Sequence, residues 1–106
     1  MPPSNALRSY QQQAVRSASP AELIDKLYGI GVAAAQSGDA ARTRRALVEL
    51  AGAVDTERGG ELAEGLLAIY EYGIRATSEG DLGTVAELLG GLRASWREAT
   101  LQPARA

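Results

Sequence analysis

The chain has 106 residues, enough for one domain with a single modest core. Its 11 Lys and Arg against 13 Asp and Glu leave a formal charge of −2, which gives no electrostatic reason to expect nucleic acid or an anionic membrane as partner. Cysteine and histidine are both absent, which excludes disulfides, thiol chemistry, the commonest general base and the usual zinc ligands.

Residues 1–18 read as an N-terminal arm. Met1-Pro2-Pro3-Ser4-Asn5 lacks the basic and apolar regions of a signal peptide, and no stretch of the chain is apolar enough to span a membrane. The expectation is therefore a cytosolic protein. Leu7, Tyr10 and Ala14 share one helical face, but a helix this short and glutamine-rich is marginal alone. The arm is expected to dock loosely, with Tyr10 as its anchor.

Ser19 opens the first well-marked helix. With Glu22 three residues on it forms a capping box, and Pro20 falls at the first helical position, where its missing N–H costs nothing. Leu23, Ile24, Leu27 and Tyr28 then repeat at helical spacing, predicting a helix over about 20–37. Gly38 can adopt the left-handed conformation that ends it, and Asp39 can cap a second helix over about 40–54. Residues 55–59 connect to a third helix over about 60–79, and the same punctuation returns as Gly80-Asp81 before a fourth over about 82–101. A frayed tail occupies 102–106. Such short Gly-Asp junctions force antiparallel neighbours, so the fold class is all-α, an antiparallel up-down-up-down four-helix bundle with an N-terminal arm.

The apolar faces differ in width. Leu47, Leu50, Ala51 and Val54 make a narrow stripe on the second helix, and Leu82, Val85, Leu88, Leu89, Leu92 and Trp96 one on the fourth. On the first helix Leu23, Ile24, Leu27, Tyr28, Ile30 and Val32 cover about half the circumference; Leu62, Leu66, Leu67, Ile69, Tyr70 and Ile74 do nearly as much on the third. A wide arc leaves apolar surface at its edge for the arm or a partner to cover, unless the broad helices simply touch more neighbours. Ile24 and Tyr28 are placed toward the outer edge of one arc and Leu67 and Ile74 toward that of the other. Leu27, Leu66 and Trp96 are placed nearer the arc centres.

Polar clusters point to solvated faces rather than chemistry. Glu61, Glu64 and Glu71 fall near one helical face, where a carboxylate-only site competes with plain solvation. Arg42, Arg44 and Arg45 begin the second helix and read as a solvated face, with contact to an acidic client or export component as the functional alternative. Gly29, Gly31, Gly65, Gly73, Gly90 and Gly91 fall inside predicted helices, each costing about 1 kcal/mol against Ala unless close packing recovers it.

The arm with Tyr10, the Ser19-Pro20-Ala21-Glu22-Leu23-Ile24-x-x-Leu27-Tyr28 block, Gly59-Gly60-Glu61-Leu62-Ala63 running into Leu66-x-x-Ile69-Tyr70-Glu71-Tyr72, and Leu92-Arg93-x-x-Trp96 together resemble the flagellar secretion chaperone family FliS. The similarity spans about residues 6–99. With neither histidine nor cysteine, no enzyme activity and no cofactor are expected; the resemblance implies a cytosolic helical bundle that binds the C-terminal segment of flagellin before export and hands it to the flagellar export apparatus. It further implies that the arm lies over part of the client surface when no client is bound. Leu7, Tyr10, Ile24, Tyr28, Leu67 and Ile74 are the partner-binding residues expected here.

The chain departs from the family pattern. About one heptad, two helical turns, is missing on each side of Gly38-Asp39, the second hairpin is trimmed by about one turn per side, and Gly65 stands where the family usually has Asn. The alternatives are a divergent helical-bundle adaptor with another client, or a protein whose broad arcs form a weak homodimer.

Overall fold

The computed structural model describes residues 19–101; the expectations for Leu7 and Tyr10 and for the tail lie outside the described residues. Four helices follow in order: α1 (Pro20–Gln36), α2 (Ala40–Gly52), α3 (Thr56–Ser78) and α4 (Leu82–Thr100). No strand occurs among the described residues. Each helix packs on its chain neighbours and α1 closes the ring against α4, giving the antiparallel up-down-up-down bundle; the α3–α4 seam is the most sparsely packed of the four.

Local chemistry explains the helix ends. The Ser19 hydroxyl accepts from the Glu22 amide at 3.2 Å, and Pro20 follows in the first turn. At the α1–α2 junction Gly38 has φ 79°, its N–H donates to the Ala35 carbonyl, and the Asp39 N–H reaches the Ala34 carbonyl at 2.9 Å. That pairing is a Schellman motif, and the Asp39 carboxylate then caps α2 by accepting from the Arg42 amide at 3.0 Å. The α3–α4 junction repeats it: Gly80 has φ 81°, Asp81 N–H donates to Ala76 carbonyl, and the Asp81 carboxylate accepts from Thr84 N–H.

One boundary differs from the sequence-based expectation. α3 begins at Thr56 because Asp55 accepts from the amides of Glu57 and Arg58, winding an extra turn before the helix proper. Gly60, at φ 56° and ψ −137°, breaks the axis between the two parts.

The second hairpin restates the first with an offset of 42 residues. Tyr28 corresponds to Tyr70, Gly31 to Gly73, Ala34 to Ala76, Gly38-Asp39 to Gly80-Asp81, and Leu47 to Leu89. The contacts obey the same exchange. A Cβ added at Gly31 would lie 2.7 Å from Leu89 Cδ1, and one at Gly73 would lie 3.1 Å from Leu47 Cδ2. The bundle therefore carries a pseudo-two-fold axis, and the Tyr28 and Tyr70 hydroxyls meet on it.

The core gathers around that axis: Tyr28, Ala35, Leu47, Leu50, Tyr70, Ala76, Val85 and Leu89 are all buried. Thr43 and Thr77 are buried too, each satisfied by donating to the carbonyl four residues back, Asp39 and Gly73 respectively. No described buried side-chain polar atom lacks a partner.

Candidate client-binding surface

Two seams of the bundle contrast. At the α1–α4 seam Asp25, 8% exposed, receives Arg93 Nε at 3.0 Å and Arg97 Nε at 2.6 Å on one oxygen, and the Nη2 atoms of both on the other. Hydrogen bonds from Arg97, then Arg93, pull the Asp25 carboxyl down from 3.8 to about 2, against the opposing effect of burial. Trp96 adds a 2.8 Å bond from its indole N–H to the Ala21 carbonyl and packs at a tilt against Tyr28. Gly29 makes room for this: a Cβ there would sit 2.9 Å from the Arg93 guanidinium. The seam is closed by charge and by ring packing together.

The α3–α4 seam has no such device among the described contacts, and α3 carries the most exposed of the large apolar side chains, Leu62. Leu62 is 83% exposed, Tyr72 is 49% exposed and Ile69 is half-buried. At 100° per residue these three and Gly65 fall within about 80° of arc, one stripe along the helix. Next to Tyr72, Gly73 packs on Leu47 of α2. Gly65 leaves a notch in the middle of the stripe, since a Cβ there would touch nothing within 4 Å.

The sequence-based site residues distribute differently. Tyr28 is 2% exposed and belongs to the core, which corrects its placement at an arc edge. The reason is physical: large apolar residues alone define an arc off-centre from the true inward face of α1, which is centred on Tyr28 among Gly31, Ala34 and Ala35, all buried. Ile24 and Ile74 are half-buried against the core cluster, and Leu67 is half-buried. Leu27, Leu66 and Trp96, placed nearer the arc centres, are only partly buried. None of Leu62, Ile69 and Tyr72 is among the partner-binding residues expected from the sequence, although the spacing of Ile69 and Tyr72, seven and ten from Leu62, places the three on one helical face. Glu61, Glu64 and Glu71 are exposed, as a solvated face requires. No helix of the described chain is long and apolar enough to cross a membrane.

A family model described as flagellar protein FliS matches residues 3–103, nearly the whole chain. No curated protein and no solved structure matches the chain significantly.

Proposed function

The chain belongs to the flagellar protein FliS family, and from that premise we propose that it binds the C-terminal segment of flagellin, keeps it from polymerising prematurely and passes it to the flagellar export apparatus. The observation that carries the reading is the exposed apolar stripe of Leu62, Ile69 and Tyr72 on α3. A helix offering apolar residues at one face across three turns suits the helix-in-groove mode, in which an amphipathic segment lays its own apolar face along it. Such a client orders as it binds, which lowers affinity per area and permits release at the export gate. The setting is the cytosol, and the protein acts as a binder, not a catalyst. Ile24, Leu67 and Ile74 are half-buried and would be secondary contacts, Leu67 and Ile74 on the other side of α3 from the stripe, and Leu7 and Tyr10 of the arm would compete with the client.

The test is a titration of the full chain with the C-terminal region of its host's flagellin. Leu62→Ser and Tyr72→Ser should each weaken binding by more than they lower the melting temperature. A flagellin segment that binds these variants as tightly as the wild type overturns the assignment to α3. Sedimentation of the free chain separates the alternative: a tight dimer that does not bind flagellin would assign the stripe to self-association.

A further inference from the structure

A cleft of about 690 Å³ runs along the outer face of α1, away from the α3 stripe. Its floor is Gly29, Ile30, Ala33 and Ala34, and Lys26, Arg42 and Arg93 stand around it with Asp39 and Ser37 at one end. From Lys26 to Ser37 the floor extends about 16 Å. Ile30 is 41% exposed there, an apolar side chain left open beside Lys26 and Arg42. Asp39 caps α2 through one carboxylate oxygen and keeps its charge, and Arg93 is paired with Asp25, so Lys26 and Arg42 are the rim cations with no ion pair among the described residues.

We propose that this cleft is a second docking site, for an acidic amphipathic helix of another protein. The proposal does not rest on the flagellin reading. An apolar floor between cations selects a segment whose apolar face is flanked by carboxylates, which the rim can pair while Ile30 is covered. The remaining parts of this chain are poor occupants. Residues 1–18 carry Arg8 and Arg16 with no acidic side chain, and 102–106 carry Arg105 with none, so both bring charge of the wrong sign. Arg93 is held in place by Asp25 and by its passage over Gly29, which presents part of the rim preformed. The Arg42 that sequence patterning leaves as a solvated charge thereby acquires a use.

The experiment uses the full chain and a synthetic capped helix of about four turns, with leucines along one face and glutamates on both flanks. Its counterpart carries glutamine in place of every glutamate. The acidic peptide should bind the wild type about tenfold more tightly than the glutamine peptide, with the difference shrinking as salt rises. Lys26→Glu combined with Arg42→Glu should remove that preference, and Ile30→Ser should weaken both peptides. Neither change should alter flagellin binding, while Leu62→Ser should leave the acidic peptide bound, so the two sites fail separately. Equal binding of the two peptides, no binding of either, or binding indifferent to Ile30 and the two cations overturns the proposal. A change in oligomeric state caused by the charge reversals would assign the cleft to a second copy of the chain and overturn it equally. The salt dependence is read on the unmodified protein and stands even where a variant folds poorly.

Discussion

The hydroxyls of Tyr28 and Tyr70 hydrogen-bond to each other at the centre of the bundle, 42 residues apart and at equivalent places in the two hairpins. Each is the other's counterpart, so one bond satisfies two buried polar groups and ties the diagonal helices α1 and α3 across the core. The rings sit 6.4 Å apart between centroids at a tilt, adding aromatic contact to the polar one.

Removing one hydroxyl orphans the other. Tyr28→Phe or Tyr70→Phe alone should destabilise the bundle by about 1–3 kcal/mol, the cost of a buried hydroxyl without a partner. The double Phe variant removes both groups and should cost less than the two singles summed. Denaturant midpoints of the four proteins check this, and strict additivity would show that the hydroxyls act independently.

Alkaline pH probes the same pair. Burial raises both phenols above the ordinary tyrosine value of about 10, and the hydrogen bond between them raises Tyr70 further while partly offsetting the rise at Tyr28. A raised acid is bound to its proton more tightly in the fold than in the unfolded chain. Its stabilising contribution is therefore complete below pH about 10 and falls as pH climbs beyond it. Unfolding free energy should decline above pH 10 in the wild type and more gently in the double Phe variant.

Acid probes the α1–α4 seam. The Asp25 carboxyl is depressed from 3.8 to about 2, so its contribution is present above pH 4 and is lost as pH falls toward 2. Asp25→Asn should cost about 1–2 kcal/mol at neutral pH, allowing for the solvent exposure of Arg97, and should flatten the stability profile between pH 4 and 2. A parallel pair of acid-unfolding curves would mean that the charge at Asp25 adds nothing.

Glycines inside the helices divide by what surrounds them. A methyl at Gly31 would strike buried Leu89 at 2.7 Å, and one at Gly73 would press Leu47 at 3.1 Å, whereas Gly65, Gly90 and Gly91 face open space. Gly31→Ala should therefore destabilise by about 1–2 kcal/mol and Gly73→Ala by less, despite the gain in helix propensity. Gly90→Ala should stabilise by about 0.5–1 kcal/mol. Thermal melts of the three variants would show the two classes diverging in sign.

Local signals were the legible part of this fold. Ser19-Pro20, Gly38-Asp39 and Gly80-Asp81 act within one turn of themselves, so the limits of α1, α2 and α4 could be read to within two residues from chain order alone. Burial was less legible because it depends on partners. Tyr28 looks like an arc edge when only large apolar side chains are counted, but small Gly31 and Ala34 bring α2 and α4 close enough to enclose it. The Asp25–Arg93–Arg97 cluster joins residues 68 and 72 apart, and no spacing rule connects them. Leu62 and Ile69 belong to the broad apolar arc read for α3 and Tyr72 does not, and which side of that arc stays exposed depends on how the neighbouring helices pack.

Position along the bundle decides the last expectation. The first hairpin is short, and its Gly38–Asp39 tip lies at the end of the bundle far from Leu62, which follows the Gly60 kink directly. A flagellin-type client lying on α3 begins near that kink and runs toward Tyr72. A charge at Leu62, as in Leu62→Glu, would be stranded beneath an apolar helix face and should weaken binding by about 100-fold, or about 3 kcal/mol, with the melting temperature nearly unchanged because the side chain is solvent-exposed. Ala41→Glu is exposed at the opposite tip and should be silent in the same titration. Strong inhibition from Ala41→Glu would mean that the client reaches past the shortened hairpin, and the stripe on α3 would then be only part of its path.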